Sequence, residues 1–132
     1  MTTRAGSQVG QPAPDVAGAA REAWRVIGES AEVVDWGIVA KNLGLGPSNA
    51  IRAAVLIPRV RQIECVLDPT ISMGDARPHF ALLLSEGWKV SALVPISKMG
   101  AAHEALRGLD LHLQGWWTTA ESRLRFSSPE MP

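Results

Sequence analysis

Tyrosine is absent from this chain of 132 residues, phenylalanine occurs twice, and cysteine once, as Cys65. A single cysteine excludes an internal disulfide and a multi-cysteine metal site. A chain without disulfides fits a reducing compartment. Net charge is missing as well, because 13 Lys and Arg balance 13 Asp and Glu. Binding driven mainly by phosphate contact needs clustered basic side chains, so a neutral chain argues against it. No apolar run approaches the roughly 18 residues that a membrane helix requires. The start, Met-Thr-Thr-Arg-Ala-Gly-Ser, lacks the apolar stretch of a signal peptide. The expectation is a soluble cytoplasmic protein with no membrane partner.

Metal and cofactor chemistry have little to build on. His103-Glu104 resembles the start of a His-Glu-x-x-His zinc motif, but Arg107 stands where the second ligand belongs. His79 and His112 have no acid or cysteine nearby at ligand spacing. Cys65 sits in an apolar run and reads as a small core residue. No catalytic residue, no metal and no cofactor are expected, and the chain is not expected to be an enzyme.

What the chain does have is an apolar content of 46% and five tryptophans, Trp24, Trp36, Trp88, Trp116 and Trp117. Residues 1–14 are rich in Gly, Ser, Pro, Thr and Gln and are expected to form a disordered tail. Asp15 can cap a helix running to about Glu29, with Val16, Ala20, Ala23, Trp24 and Ile27 on one face. Asp35 can cap a second helix, where Trp36, Val39, Ala40 and Leu43 form a buried stripe. Gly44 ends that helix in a left-handed turn, and Leu45 plugs the gap beneath it. Pro47 suits the first turn of a third helix with Ile51, Ala54 and Val55 inward, and Pro58 stops it.

Residues 39–55 thereby resemble the helix-turn-helix of many bacterial repressors, through Ala40, Leu43, Gly44, Leu45, Ser48, Ile51 and Val55. Those proteins usually place one fewer residue between the turn glycine and the apolar residue matched by Ile51, so either Ala50 takes that place or the turn is one residue longer. Leu67-Asp68-Pro69-Thr70, Asp75-Ala76-Arg77 and Ser85-Glu86-Gly87 are similar in order to the wing of winged-helix regulators of the multiple-antibiotic-resistance-repressor type. The resemblance implies a sequence-specific DNA-binding protein, a small transcriptional regulator or mobile-element accessory factor, on double-stranded DNA and acting as a homodimer or with a protein partner. Ser48, Asn49 and Arg52 would read base edges. Lys41, Arg59 and Arg61 would contact phosphates, and Arg77 would lie on the wing.

The second half reads as a strand over 59–68, a loop over 69–78, and an apolar stretch over 78–86 open to either helix or strand. A strand over 88–94, a helix from Ser97 to about Arg107 and alternating Leu109, Leu111 and Leu113 follow. Residues 116–126 read as a C-terminal hairpin. The stretch from Arg77 through Val94 is also loosely similar to the core hairpin of restriction-type nucleases. There His79 replaces the early Asp, and Leu93-Val94-Pro95 replaces the metal-binding Glu-x-Lys.

The expected fold class is therefore α+β. A trihelical helix-turn-helix core over 15–69 would precede a small α/β region over 70–132 that ends in the hairpin. The alternative function is a non-enzymatic protein-interaction module. Trp116, Trp117, Arg123 and Arg125 of the hairpin would be its partner contact.

Overall fold

The computed structural model describes residues 14–132. The expected tail over 1–14 therefore lies, apart from Pro14, outside the described residues. The described chain forms a six-stranded mixed sheet with four α-helices interleaved between strands. In chain order the elements are α1 (Val16–Val26), β1 (Glu32–Val34), α2 (Trp36–Asn42), β2 (Ile51–Ile57) and β3 (Gln62–Leu67). Then come α3 (Arg77–Ser85), β4 (Lys89–Pro95), α4 (Met99–Ala105), β5 (His112–Thr118) and β6 (Leu124–Phe126). The strands lie in the sheet in the same order, β1 to β6. β1–β2, β2–β3 and β5–β6 pair antiparallel, while β3–β4 and β4–β5 pair parallel. Parallel neighbours need crossovers, and α3 and α4 supply them. No helix among the described residues is long and apolar enough to cross a membrane.

This corrects the expected N-terminal trihelical core. α1 and α2 form as anticipated. Asp15 accepts from the Gly18 amide at the start of α1, and Asp35 accepts from the Gly37 amide at the start of α2. Gly44 takes the left-handed turn at φ 75°, and Leu45 donates its amide to the Ala40 carbonyl. The third helix does not exist: its residues are strand β2, paired with β1 and β3. β2 is covered on both faces, with Ala54 in one core and Val55 in the other. Such a strand reads as a continuous apolar run, which spacing alone cannot tell from a buried helix. β-branched Ile51, Val55 and Ile57 favour the extended choice.

The wing is overturned too. Its segment holds a 3-10 turn (Met73–Ala76) and α3, stopped at Gly87 with φ 88°. The nuclease-like hairpin likewise resolves into α3 followed by β4, which runs parallel to β3. The anticipated boundary near residue 69 falls in the link between β3 and α3 of the one sheet. The C-terminal hairpin is present as β5 and β6, with Trp116 opposite Phe126.

Two cores flank the sheet. On one face α2, α3 and α4 pack Trp36, Ala40, Phe80, Leu83 and Ala102 onto Ile63, Cys65, Ala92, Val94 and Leu113. Cys65 is fully buried, and burial pushes its thiol up, away from the reactive thiolate. On the other face α1 packs Val16, Ala17 and Ala20 onto Val55, Ile57 and Leu93.

The turn leading into α4 crosses β5 at Gly115. A Cβ there would stand 2.6 Å from Ile96 Cδ1 and 3.2 Å from the Ile96 Cα. Gly115→Ala is expected to cost about 1–3 kcal/mol by overpacking, read by urea denaturation. A neutral result would contradict this crossing.

Candidate ligand-binding groove

Side chains on a strand alternate between faces. On the face that carries α1, β3 presents Gln62 and Glu64, β4 presents Ser91 and Leu93, and β5 presents His112 and Gln114. Register aligns them: Glu64 faces Ser91, Ser91 faces His112, and Leu93 faces Gln114. Five of the six are polar, an unusual composition for the middle of a sheet. α1 borders this row with Ala20, Ala23, Trp24 and Ile27, and Phe126 and Pro129 border it on the other side. The result is an open groove of about 310 Å³, near the lower end of small-ligand sites. Ile27 is 70% exposed although it belongs to the apolar stripe of α1, because that stripe extends past the packed sheet to the groove's rim.

Glu64 is the groove's buried charge, only 6% exposed. Its Oε1 accepts from Trp24 Nε1 at 3.0 Å, while among the described residues its Oε2 has only a long 3.5 Å contact from Gln62 Nε2. Burial raises its carboxyl above the usual glutamate value, and the two hydrogen bonds offset part of that rise. Gln62 Nε2 also donates to Ser91 Oγ at 3.3 Å, and Gln114 Nε2 donates to the Ser127 carbonyl at 2.9 Å. The Gln114 amide orientation is fixed by a carbonyl, which can only accept.

The residues expected to touch DNA are not brought together. Lys41 is exposed on α2, and Ser48 and Asn49 lie in the link before β2, where Ser48 Oγ accepts from the Ala50 amide. Arg52, on β2, pairs with Asp68 at 2.8 Å. Asp68 also accepts from the Thr70 hydroxyl and amide, and chiefly these bonds, with Arg52, hold it down at about 2. Arg59 pairs with Glu29. Arg61 lies 4.8 Å over the Trp88 ring and donates to the Glu86 carbonyl. Arg59 and Arg61 sit at the far end of β2 from Arg52, roughly 20 Å away along the strand. Arg77 opens α3 and donates to the Ala105 carbonyl.

In the hairpin, Trp116 packs among the residues of the α1-side core, with its Nε1 buried and unpartnered. Trp117 is 39% exposed and registers opposite Arg125, which is exposed like Arg123. The groove residues escaped the sequence reading, although a signal existed. Gln62, Glu64 and Ser91 are isolated polar residues alternating with apolar ones in short strands.

Among the described residues no group of three His, Cys, Asp or Glu side chains is placed to hold a metal ion. Comparison with protein-family models, curated proteins and solved structures finds no match.

A carboxyl raised by burial binds a proton more readily folded than unfolded. Its contribution to stability is full below the ordinary glutamate value and is lost as pH rises through the folded one. Glu64→Gln removes that loss. Between about pH 4 and about pH 8, the stability of Glu64→Gln relative to the parent, from urea denaturation, is expected to shift in the variant's favour. A constant difference would contradict the assignment.

Proposed function

We propose that this chain is a non-enzymatic binding module that takes a ligand into the groove between α1 and strands β3, β4 and β5. The observation that carries this reading is Glu64, a carboxylate with one under-satisfied oxygen on the floor of an open groove. A buried charge costs stability unless it is fully paired, and such costs gather at functional sites.

Two observations favour binding over catalysis and over DNA recognition. A hydrolytic triad requires histidine between the acid and the serine. In the register of this sheet, Ser91 lies between Glu64 and His112. The basic residues anticipated for DNA are spread along the molecule, and Arg52, Arg59, Arg61 and Arg77 are engaged within the chain.

Ala23 is exposed and lines the groove from α1, so Ala23→Trp should fill the groove without disturbing either core. In a fragment screen by two-dimensional NMR, ligand-induced shifts are expected at the Trp24 indole N–H and at the Gln62 and Gln114 side-chain amides. Ala23→Trp should weaken those ligands about tenfold or more, a loss of about 1.4 kcal/mol. Ligands that shift other surfaces, or that ignore Ala23→Trp, would overturn the reading.

A further inference from the structure

We infer that the groove binds an organic ammonium group, with the Glu64 carboxylate as its counter-charge and the Trp24 and Phe126 rings beside it. The inference rests on the binding-groove reading above and names the chemistry of the ligand.

The chemistry of the ligand follows from the groove's unused hydrogen-bonding capacity. Three of the groove's nitrogen donors are engaged within the protein, while His112 on β5 makes no side-chain hydrogen bond within the described chain. Trp24 Nε1 is given to Glu64, Gln62 Nε2 to Glu64 and Ser91, and Gln114 Nε2 to Ser127. The acceptors are not. Glu64 Oε2 has only its 3.5 Å contact, and the carbonyl oxygens of Gln62 and Gln114 accept no hydrogen bond within the described chain. An ammonium has three donors and no acceptor, so it complements what is left over. A carboxylate or phosphate would bring further acceptors and a like charge.

Charge agrees with this accounting. No Lys or Arg lines the groove among the described residues, and its titratable side chains there are Glu64 on β3 and His112 on β5. A buried carboxylate gains most from a partner that brings full opposite charge into the same desolvated space. The rest of the lining, including Leu93, Trp24 and Phe126, suits the short apolar body of an amine.

The test is an NMR titration of the full chain near neutral pH with n-butylammonium, its neutral isostere 1-butanol and the anion pentanoate. The expected result is that n-butylammonium shifts the Trp24 indole and the Gln62 and Gln114 amides with an affinity about tenfold above that of 1-butanol, and that pentanoate does not compete. In Glu64→Gln the preference for ammonium should vanish while 1-butanol still binds. Equal affinities of the amine and the alcohol in the parent protein would overturn the inference and leave the groove reading standing. Absence of any groove shift with all three would overturn both. An N-acetyl-lysine-N-methylamide arm identifies the source. Binding as tight as the free amine assigns the site to a lysine side chain of a partner, and exclusion assigns it to a free amine; either supports the ammonium reading.

Discussion

The organisation of this molecule depends on how much of a sheet one short helix can cover. Six strands spaced by about 4.8 Å span roughly 24 Å. α1 has 11 residues, which makes it roughly 16 Å long and about 10 Å wide. It lies against β1, β2 and β3. The opposite face has three helices on it and closes into a continuous apolar core. Among the described residues the α1 face has one, and the sheet emerges from beneath it between β3 and β5. The apolar and polar side chains are distributed accordingly. Under α1 the sheet presents Val55 and Ile57, and beyond it Glu64, Ser91, His112 and Gln114.

Glu64 stands at that border. Trp24 both buries it and donates to it, so the helix that desolvates the carboxylate also supplies its best hydrogen bond. A second hydrogen bond of equal quality would satisfy the group and close the site. The observed geometry leaves Oε2 short of a partner instead. The chain carries polar costs elsewhere too: Trp36 Nε1 and His79 Nδ1 are buried without partners on the other face, and burial holds His79 toward its neutral form. Those two rings pack 5.5 Å apart in the main core, and neither lines the groove at Glu64. An unpaired polar atom alone is therefore not a site in this protein. The combination of charge, an under-used oxygen and open space at Glu64 sets it apart.

Local pieces of the fold were legible because local chemistry dictated them, while the six-stranded sheet that joins them was not. Asp15 and Asp35 cap helices, Gly44 ends one at positive φ, and Leu111 and Leu113 lead into a true hairpin, whereas Pro58 ends a strand where the sequence suggested the end of a helix. β2 was not legible. Its Ile51, Ala54 and Val55 fall at helical spacing, and only the sheet shows that Ala54 and Val55 serve different cores. Gly44 and Pro47 then completed the likeness to a helix-turn-helix, although the chain after Pro47 turns into a strand. The groove was hidden for a related reason. Each polar residue in it can be seen as an exception in an apolar strand. Their convergence requires β3, β4 and β5 to lie side by side and parallel, which requires residues 78–86 to be a helix, a point that periodicity left open.

Glu64 is a desolvated carboxyl coupled to Trp24 on the floor of the groove. The most direct measurement is a ¹³C NMR titration of the Glu64 side-chain carboxyl, with the Trp24 indole N–H followed in the same samples. The expected midpoint lies above the ordinary glutamate value of 4.5, with the indole resonance moving along the same curve. A midpoint at or below that value, with an indole resonance indifferent to it, would contradict the account.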